Sequence, residues 1–309
     1  MQYIIIAAAL LLAVLGGSYW AFRMAFYSSP KRTREESVAL GEQYDAVREE
    51  LEVLRKRVED APCEWVNIRS QDGLMLSGRY CHIADGAPVD IIFHGYRGTV
   101  SRDCAGGFSL AGKAGHNVLL PDQRAHGKSG GRVISFGIKE QYDALAWARY
   151  AADRWKYTDI WLTGVSMGAA TVLMASALEL PQNVRGIIAD CGYSSPREII
   201  RKVIGEMKLP VWAAYPFARL GAWLWGGFRL ESGSPADSLK RAKVPVLILH
   251  GEDDRFVPCE MGRANYDACV SEKRLVTVPG AGHGLSCLID PDTYKGAVAE
   301  FYEKTRRKI

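Results

Sequence analysis

Several things are missing from this sequence. Its seven cysteines include no C-x-x-C pair, and its six histidines no H-x-x-x-H or comparable spacing. Neither a structural metal site nor a disulfide ladder is therefore expected. Charge of one sign is also absent as a feature: 39 basic and 35 acidic side chains leave a net charge of +4 over 309 residues. That balance excludes a polybasic nucleic-acid tail, and no nucleic-acid partner is expected. Nor is the chain polar enough to be disordered, being 48 % apolar. It has no internal repeat and no low-complexity tract.

What it does have begins at the N-terminus. Tyr3 to Phe22 run for twenty residues without a charge, and twenty helical residues span about 30 Å, the thickness of a bilayer's hydrocarbon core. Tyr19 and Trp20 sit near the end, where aromatic side chains favour the interface. A cleaved signal peptide fits less well, because Met1-Gln2-Tyr3 supplies no basic leader and no A-x-A site follows. The segment reads as a retained anchor within residues 1–30. Arg23, Lys31, Arg32 and Arg34 all follow it, which would keep the remainder in the cytoplasm. The cysteines, read as seven unpaired thiols, suit the same reducing compartment. A chain beginning near Lys31 is expected to stay soluble and active.

Residues 31–60 read as a spacer. From Glu35 to Asp60, Leu40, Tyr44, Val47, Leu51, Leu54 and Val58 recur at steps of four and three, one apolar stripe on a charged helix. Packing against the following domain is its expected role, with a dimer contact as the alternative use. Residues 61–309 then alternate short apolar runs with helical stretches. Cys63 to Arg69 and Leu74 to Cys81 flank Gln71-Asp72-Gly73, a hairpin signal. Further strands are expected at Val89–Phe93, Asn117–Pro121, Ile160–Leu162, Gly186–Ala189, Pro245–His250 and Arg274–Val278. Wholly apolar strands alternating with helices such as Gly137–Arg154 and Met167–Leu178 imply an α/β fold, a largely parallel sheet covered on both faces. More than fifty residues separate the strand at Ala189 from the one at Val244. A loop that long suggests a lid, placed at about 196–236. It holds Trp212, Tyr215, Phe217, Trp223, Trp225 and Phe228, and Trp212, Trp223, Trp225 and Phe228 are expected to shape a substrate pocket.

The chemistry-bearing residues lie at strand ends. Gly164-Val165-Ser166-Met167-Gly168 stands between an apolar strand and a helix start. A sharp strand-to-helix turn needs glycine and leaves the serine hydroxyl projecting at a helix N-terminus. Serine needs a base to become a nucleophile, and a histidine held by a carboxylate supplies one. The order Ser, Asp, His expected of such a site is present. His250-Gly-Glu-Asp-Asp-Arg-Phe-Val-Pro258 offers Glu252, Asp253 or Asp254, and Pro279-Gly-Ala-Gly-His283-Gly284 offers the base. His94-Gly95-Tyr96 follows another strand and can present the Tyr96 amide to an oxyanion, with the Met167 amide as second donor. His94 and His126 read as structural.

Together these residues resemble the α/β-hydrolase superfamily over roughly Glu64 to Tyr302. The likeness is greatest to small bacterial serine esterases and acylglycerol-lipase-like hydrolases with a helical cap. That resemblance implies a mostly parallel eight-stranded sheet with helices on both faces. In H-G-x-x-D-x-x-V-P it assigns the acid to Asp254, and it implies ester hydrolysis through an acyl-enzyme with no cofactor. The same fold also carries peptidases, and non-catalytic members that would serve as scaffolds.

Overall fold

The computed structural model describes residues 1–29 and 42–307. Lys31, Arg32, Arg34 and Leu40, cited above for orientation and for the spacer stripe, lie outside the described residues. The chain opens with helix α1 (Gln2–Ala25), and the spacer appears as α2 (Glu42–Asp45) and α3 (Arg48–Glu59). The expectation of one unbroken spacer helix is thus corrected: the chain turns at Ala46–Val47. The turn lets Val47 and Val58 bury while Gln43 and Tyr44 reach a loop near the C-terminus. Among the described residues the apolar stripe packs within the molecule, with Leu54 beside Val58, Cys104 and Ala111.

Strands β1 (Cys63–Arg69) and β2 (Met75–Cys81) form the expected hairpin. They are followed by β3 (Val89–Phe93), α4 (Val100–Asp103), α5 (Ala105–Lys113) and β4 (Asn117–Pro121). Next come α6 (Glu140–Arg154), β5 (Ile160–Val165), α7 (Met167–Ala175) and β6 (Val184–Asp190). The cap, α8 (Pro196–Glu206) and α9 (Val211–Leu224), interrupts the alternation. After it lie α10 (Pro235–Leu239), β7 (Val246–Gly251), α11 (Cys259–Ala268), β8 (Lys273–Val278), α12 (Ser286–Ile289) and α13 (Pro291–Thr305). The eight strands run in the order β1-β2-β4-β3-β5-β6-β7-β8, antiparallel at β1, β2 and β4 and parallel from there on. Every residue of β3, β4 and β7 is buried, which follows from helices covering both faces of a parallel sheet. Parallel strands bring all their C-terminal ends to one edge, and that edge carries the site.

The hairpin register sets Cys63 opposite Cys81, and the two form a disulfide with Cα atoms 4.2 Å apart. This corrects the reading of seven free thiols. Eighteen residues of separation conceal a pair that the fold-back of the strands makes neighbours. The compartment argument built on unpaired cysteines falls with it.

Helix α1 is long and apolar enough to cross a membrane by length and composition. Every residue from Gln2 to Val14 is exposed. Its second half is not a detached tether. Gly17 lies against Phe217, and Gly221 against Ser18 and Phe22, so small residues let α1 and α9 approach backbone to backbone. Phe22 and Phe26 are buried, and Phe26 meets Phe136 and Phe228 edge-on. A chain beginning near Lys31, expected to stay soluble and active, would lack Phe22 and Phe26 of this cluster. Phe26→Ala should lower stability by about 3–5 kcal/mol, as a fully buried aromatic truncation does. Denaturant unfolding of the detergent-solubilised protein measures it, and an unchanged midpoint would mean that α1 only leans on the domain.

Candidate active site

The site is built on the turn from β5 to α7. A Cβ on Gly164 would strike the Gly168 carbonyl, and one on Gly168 would strike the Phe93 carbonyl, so both positions require glycine. Between them Ser166 adopts φ 56° and ψ −114°, a backbone state that costs on the order of 1–3 kcal/mol for a residue with a side chain. The strain lifts the hydroxyl off the sheet edge toward the loop after β8. There His283 Nε2 lies 3.0 Å from Ser166 Oγ, and His283 Nδ1 lies 2.7 Å from Asp254 Oδ2. The other Asp254 oxygen accepts from the amides of Phe256 (2.9 Å) and Val257 (2.8 Å). Burial pushes the Asp254 carboxyl up. Hydrogen bonding to His250 and His283, the His283 charge and the Val257 amide outweigh it, and its pKa is held at about 2. The carboxylate is therefore ionised throughout the neutral range and can hold the Nδ1 proton, leaving Nε2 to accept from the serine.

The structure thus brings together Ser166, His283 and Asp254; Glu252 and Asp253 are exposed, Glu252 accepting from the Thr277 hydroxyl. Met167 opens α7 beside the serine, and Tyr96 lines the same cavity. The loop carrying Tyr96 is fixed from behind: the Gly95 amide donates to Asp103 Oδ2 at 2.8 Å. His94 and His126 are wholly interior supports. His94 Nε2 accepts from the Gln123 amide at 3.0 Å and His126 Nε2 from the Arg97 amide at 3.0 Å. Their Nδ1 protons then go to the Gly95 and Arg124 carbonyls. Burial lowers both, His126 to about 3, so they stay neutral and brace the Tyr96 loop.

The cavity beside Ser166 encloses about 360 Å³. Sequence reasoning missed its outer wall, which is made by the spacer: Tyr44, Leu51 and Arg55 face Tyr96, Phe256 and Leu285. The Tyr44 hydroxyl donates to the His283 carbonyl at 3.1 Å, and the His283 amide donates to Gln43 Oε1 at 3.4 Å. Two hundred and forty residues separate these partners, and no local pattern signals such a contact. The four cap aromatics are not among the cavity's lining residues. Trp212, Trp223 and Trp225 are exposed, and Phe228 is buried against Phe26.

Behind the serine, Asp190 is buried at the end of β6, where its backbone carbonyl accepts the Ser166 amide and its side chain accepts from Tyr294 at 3.0 Å. Burial pushes this carboxyl up to about 6, against the Tyr294 bond.

A hydroxyl, an imidazole and an ionised carboxylate in series on this sheet edge define a hydrolase-type site. The sequence profile of the alpha/beta hydrolase family matches residues 91–297, and the chain belongs to that family. It is 29 % identical over 191 residues to the uncharacterized protein YqkD of Bacillus subtilis, a match covering 61 % of this chain and 63 % of that protein. It is 25 % identical over 256 residues to human protein ABHD12B, covering 72 % of this chain and 64 % of that one. In fold it is similar to the Pyrococcus furiosus esterase Pf2001, with a TM-score of 0.67 at 22 % identity, covering 92 % of this chain and all of that one.

Asp190 gives the site a measurable pH signature. Its folded pKa of about 6 lies above the unfolded value of about 3.9, so the folded state holds the proton longer. Its contribution to stability is therefore full below pH 4 and is lost as pH rises to about 6. Asp190→Asn should remove that fall. Subtracting the variant's unfolding free energy from the parent's across pH 4 to 7 tests it, and a flat difference would mean that Asp190 titrates normally.

Proposed function

We propose that the protein is a serine hydrolase that cleaves carboxylic esters through an acyl-enzyme. One observation carries the reading: Ser166 Oγ, His283 and Asp254 are joined by hydrogen bonds of 3.0 and 2.7 Å at a strained strand-to-helix turn. His283 takes the serine proton as Oγ attacks the ester carbonyl, and Asp254 steadies the imidazolium. The amides of Tyr96 and Met167 bind the resulting oxyanion. His283 then returns the proton to the leaving alkoxide, and water, deprotonated by the same imidazole, releases the acid. Alkoxides leave more readily than amines, which favours esters over amides.

Residues 3–22 serve in this reading as a retained membrane anchor. The lone basic residue of α1, Arg23, follows the apolar run, and this asymmetry supports a cytoplasmic catalytic domain. The Cys63–Cys81 pair favours an oxidising side instead. The charge bias acts during insertion, whereas the hairpin register makes the two cysteines neighbours on either side of a membrane.

Ser166→Ala should abolish labelling by a fluorophosphonate and lower ester turnover by several powers of ten, with the fold intact. Labelling retained in that variant would overturn the assignment, and faster turnover of aminoacyl amides than of matched esters would make it a peptidase. Asp254→Asn should cost roughly 10⁴-fold in kcat by fixing the wrong imidazole tautomer, and Asp253→Asn far less. On orientation, protease added outside intact cells should spare the domain. External digestion without lysis would reverse the topology.

A further inference from the structure

The cap helix α9 has a face that the site does not use. Eleven residues make just over three full turns, so Trp212 and Trp223 lie on one stripe, about 16 Å apart, with Pro216 and Arg219 between them. All four are exposed, Trp212 at 84 % and Trp223 at 53 %. The opposite side, Ala218, Gly221 and Ala222, is buried. Two tryptophans this open to water on one helix are an apolar surface in need of a partner.

The length of α1 says what that partner is, given the membrane anchor proposed above, on which this inference rests. Thirteen residues, Gln2 to Val14, are all exposed, and they cover only about 20 Å of a hydrocarbon core that needs about 20 residues and 30 Å. The remaining turns of the span are those that α9 packs against, at Gly17, Ser18 and Phe22. A full span therefore draws the cap down to the bilayer boundary. The composition of the stripe fits that depth and no deeper. Pro216 has no N–H to give the Trp212 carbonyl, which needs the hydration of the headgroup zone. Arg219 sits between the tryptophans with its charge partnered by Glu231 at 3.1 Å. On α1, Tyr19 and Trp20 are 44 % and 57 % exposed, and Tyr19 meets Trp225 of the cap edge-on. Tryptophan and tyrosine with arginine are the residues of a membrane interface.

We propose that α9 lies in the plane of the lipid interface, with Trp212 and Trp223 inserted at headgroup depth as a second membrane contact beside α1. The cap would then be a lipid-docked element, not the wall of a substrate pocket. Its partner is the bilayer into which α1 inserts.

The test uses the full chain in phospholipid vesicles, with a polarity-sensitive fluorophore on one introduced cysteine at a time and the unsubstituted protein as labelling blank. Leu10→Cys reports the anchor, and Trp212→Cys and Trp223→Cys report the cap. Tyr157→Cys, 85 % exposed in the turn before β5 and so at the opposite end of the sheet, is the aqueous control. Fluorophosphonate labelling checks that each variant is folded. The cap positions should emit at shorter wavelength than position 157, and a spin label near the headgroup should quench them more than one at the acyl terminus. Position 10 should show the reverse depth preference. A buried position 10 with water-like 212 and 223 would overturn the lipid-docked cap and leave the anchor standing. A water-like position 10 would overturn the anchor, and this inference with it.

Discussion

The close passage of two backbones at the β5–α7 turn is the constraint from which the site follows. Gly164 and Gly168 have no room for a Cβ, and the turn they permit drives Ser166 to positive φ. Relaxing that angle would swing the hydroxyl away from His283 and let the helix drift off Phe93. The Ser166 amide is meanwhile satisfied by the Asp190 carbonyl, and the helix behind is packed from Met167 to Ala175 without an exposed residue. The strain is held by burial on every side, which is how a backbone state of this cost persists. Position and direction of the Ser166 hydroxyl are thus properties of the sheet core, whereas His283 and Asp254 hang on loops that must be steered to meet it.

That steering comes from the two N-terminal segments. The last carbonyls of α1 lack helical partners, as at any helix C-terminus. The Tyr96 hydroxyl donates to Ala25 at 2.8 Å, and Arg97 donates to Met24 at 2.7 Å and to Tyr27 at 3.3 Å. A guanidinium beside the negative end of a helix is also well placed electrostatically. Consequently the loop that carries Tyr96 is tied to the end of the helix read as the anchor. The spacer does the same for the loop bearing His283, through Gln43 and Tyr44. The cavity is closed by chain that precedes the first strand.

Much of this was readable without coordinates, and the boundary of what was readable has a physical cause. Strands such as β3, β4 and β7 announce themselves because a strand buried on both faces is a short, largely apolar run, whereas β1 and β2 are marked by the hairpin turn at Gln71-Asp72-Gly73. Ser166 and His283 are flanked by glycines that only a tight turn requires. Asp254 needed more than local pattern, since Glu252 and Asp253 are chemically as able; what separates it is the turn that gives its carboxylate the amides of Phe256 and Val257. The Cys63–Cys81 pair was hidden because pairing depends on register, which spacing does not reveal. The cap tryptophans were misleading for a related reason. Aromatic enrichment marks apolar surroundings, and it reads the same whether the surroundings are a pocket or a surface.

The break in the spacer at Ala46–Val47 shows how energetics chose between two uses of one stripe. Six apolar positions on a continuous helix would present a dimer seam, but fewer than four heptads bury little area against a second copy. Folding the stripe onto its own domain buries Val47 and Val58 and lets Leu54 close over Cys104 and Ala111. The intramolecular contact needs no second chain, so it forms at any concentration, and the cost is one interrupted turn of helix. Tyr44 then lands where burial pushes its hydroxyl up to about 12 and keeps it a neutral donor to the His283 carbonyl. A segment that composition describes as a spacer is, by its packing, the outer wall of the cavity and a brace for the proposed base.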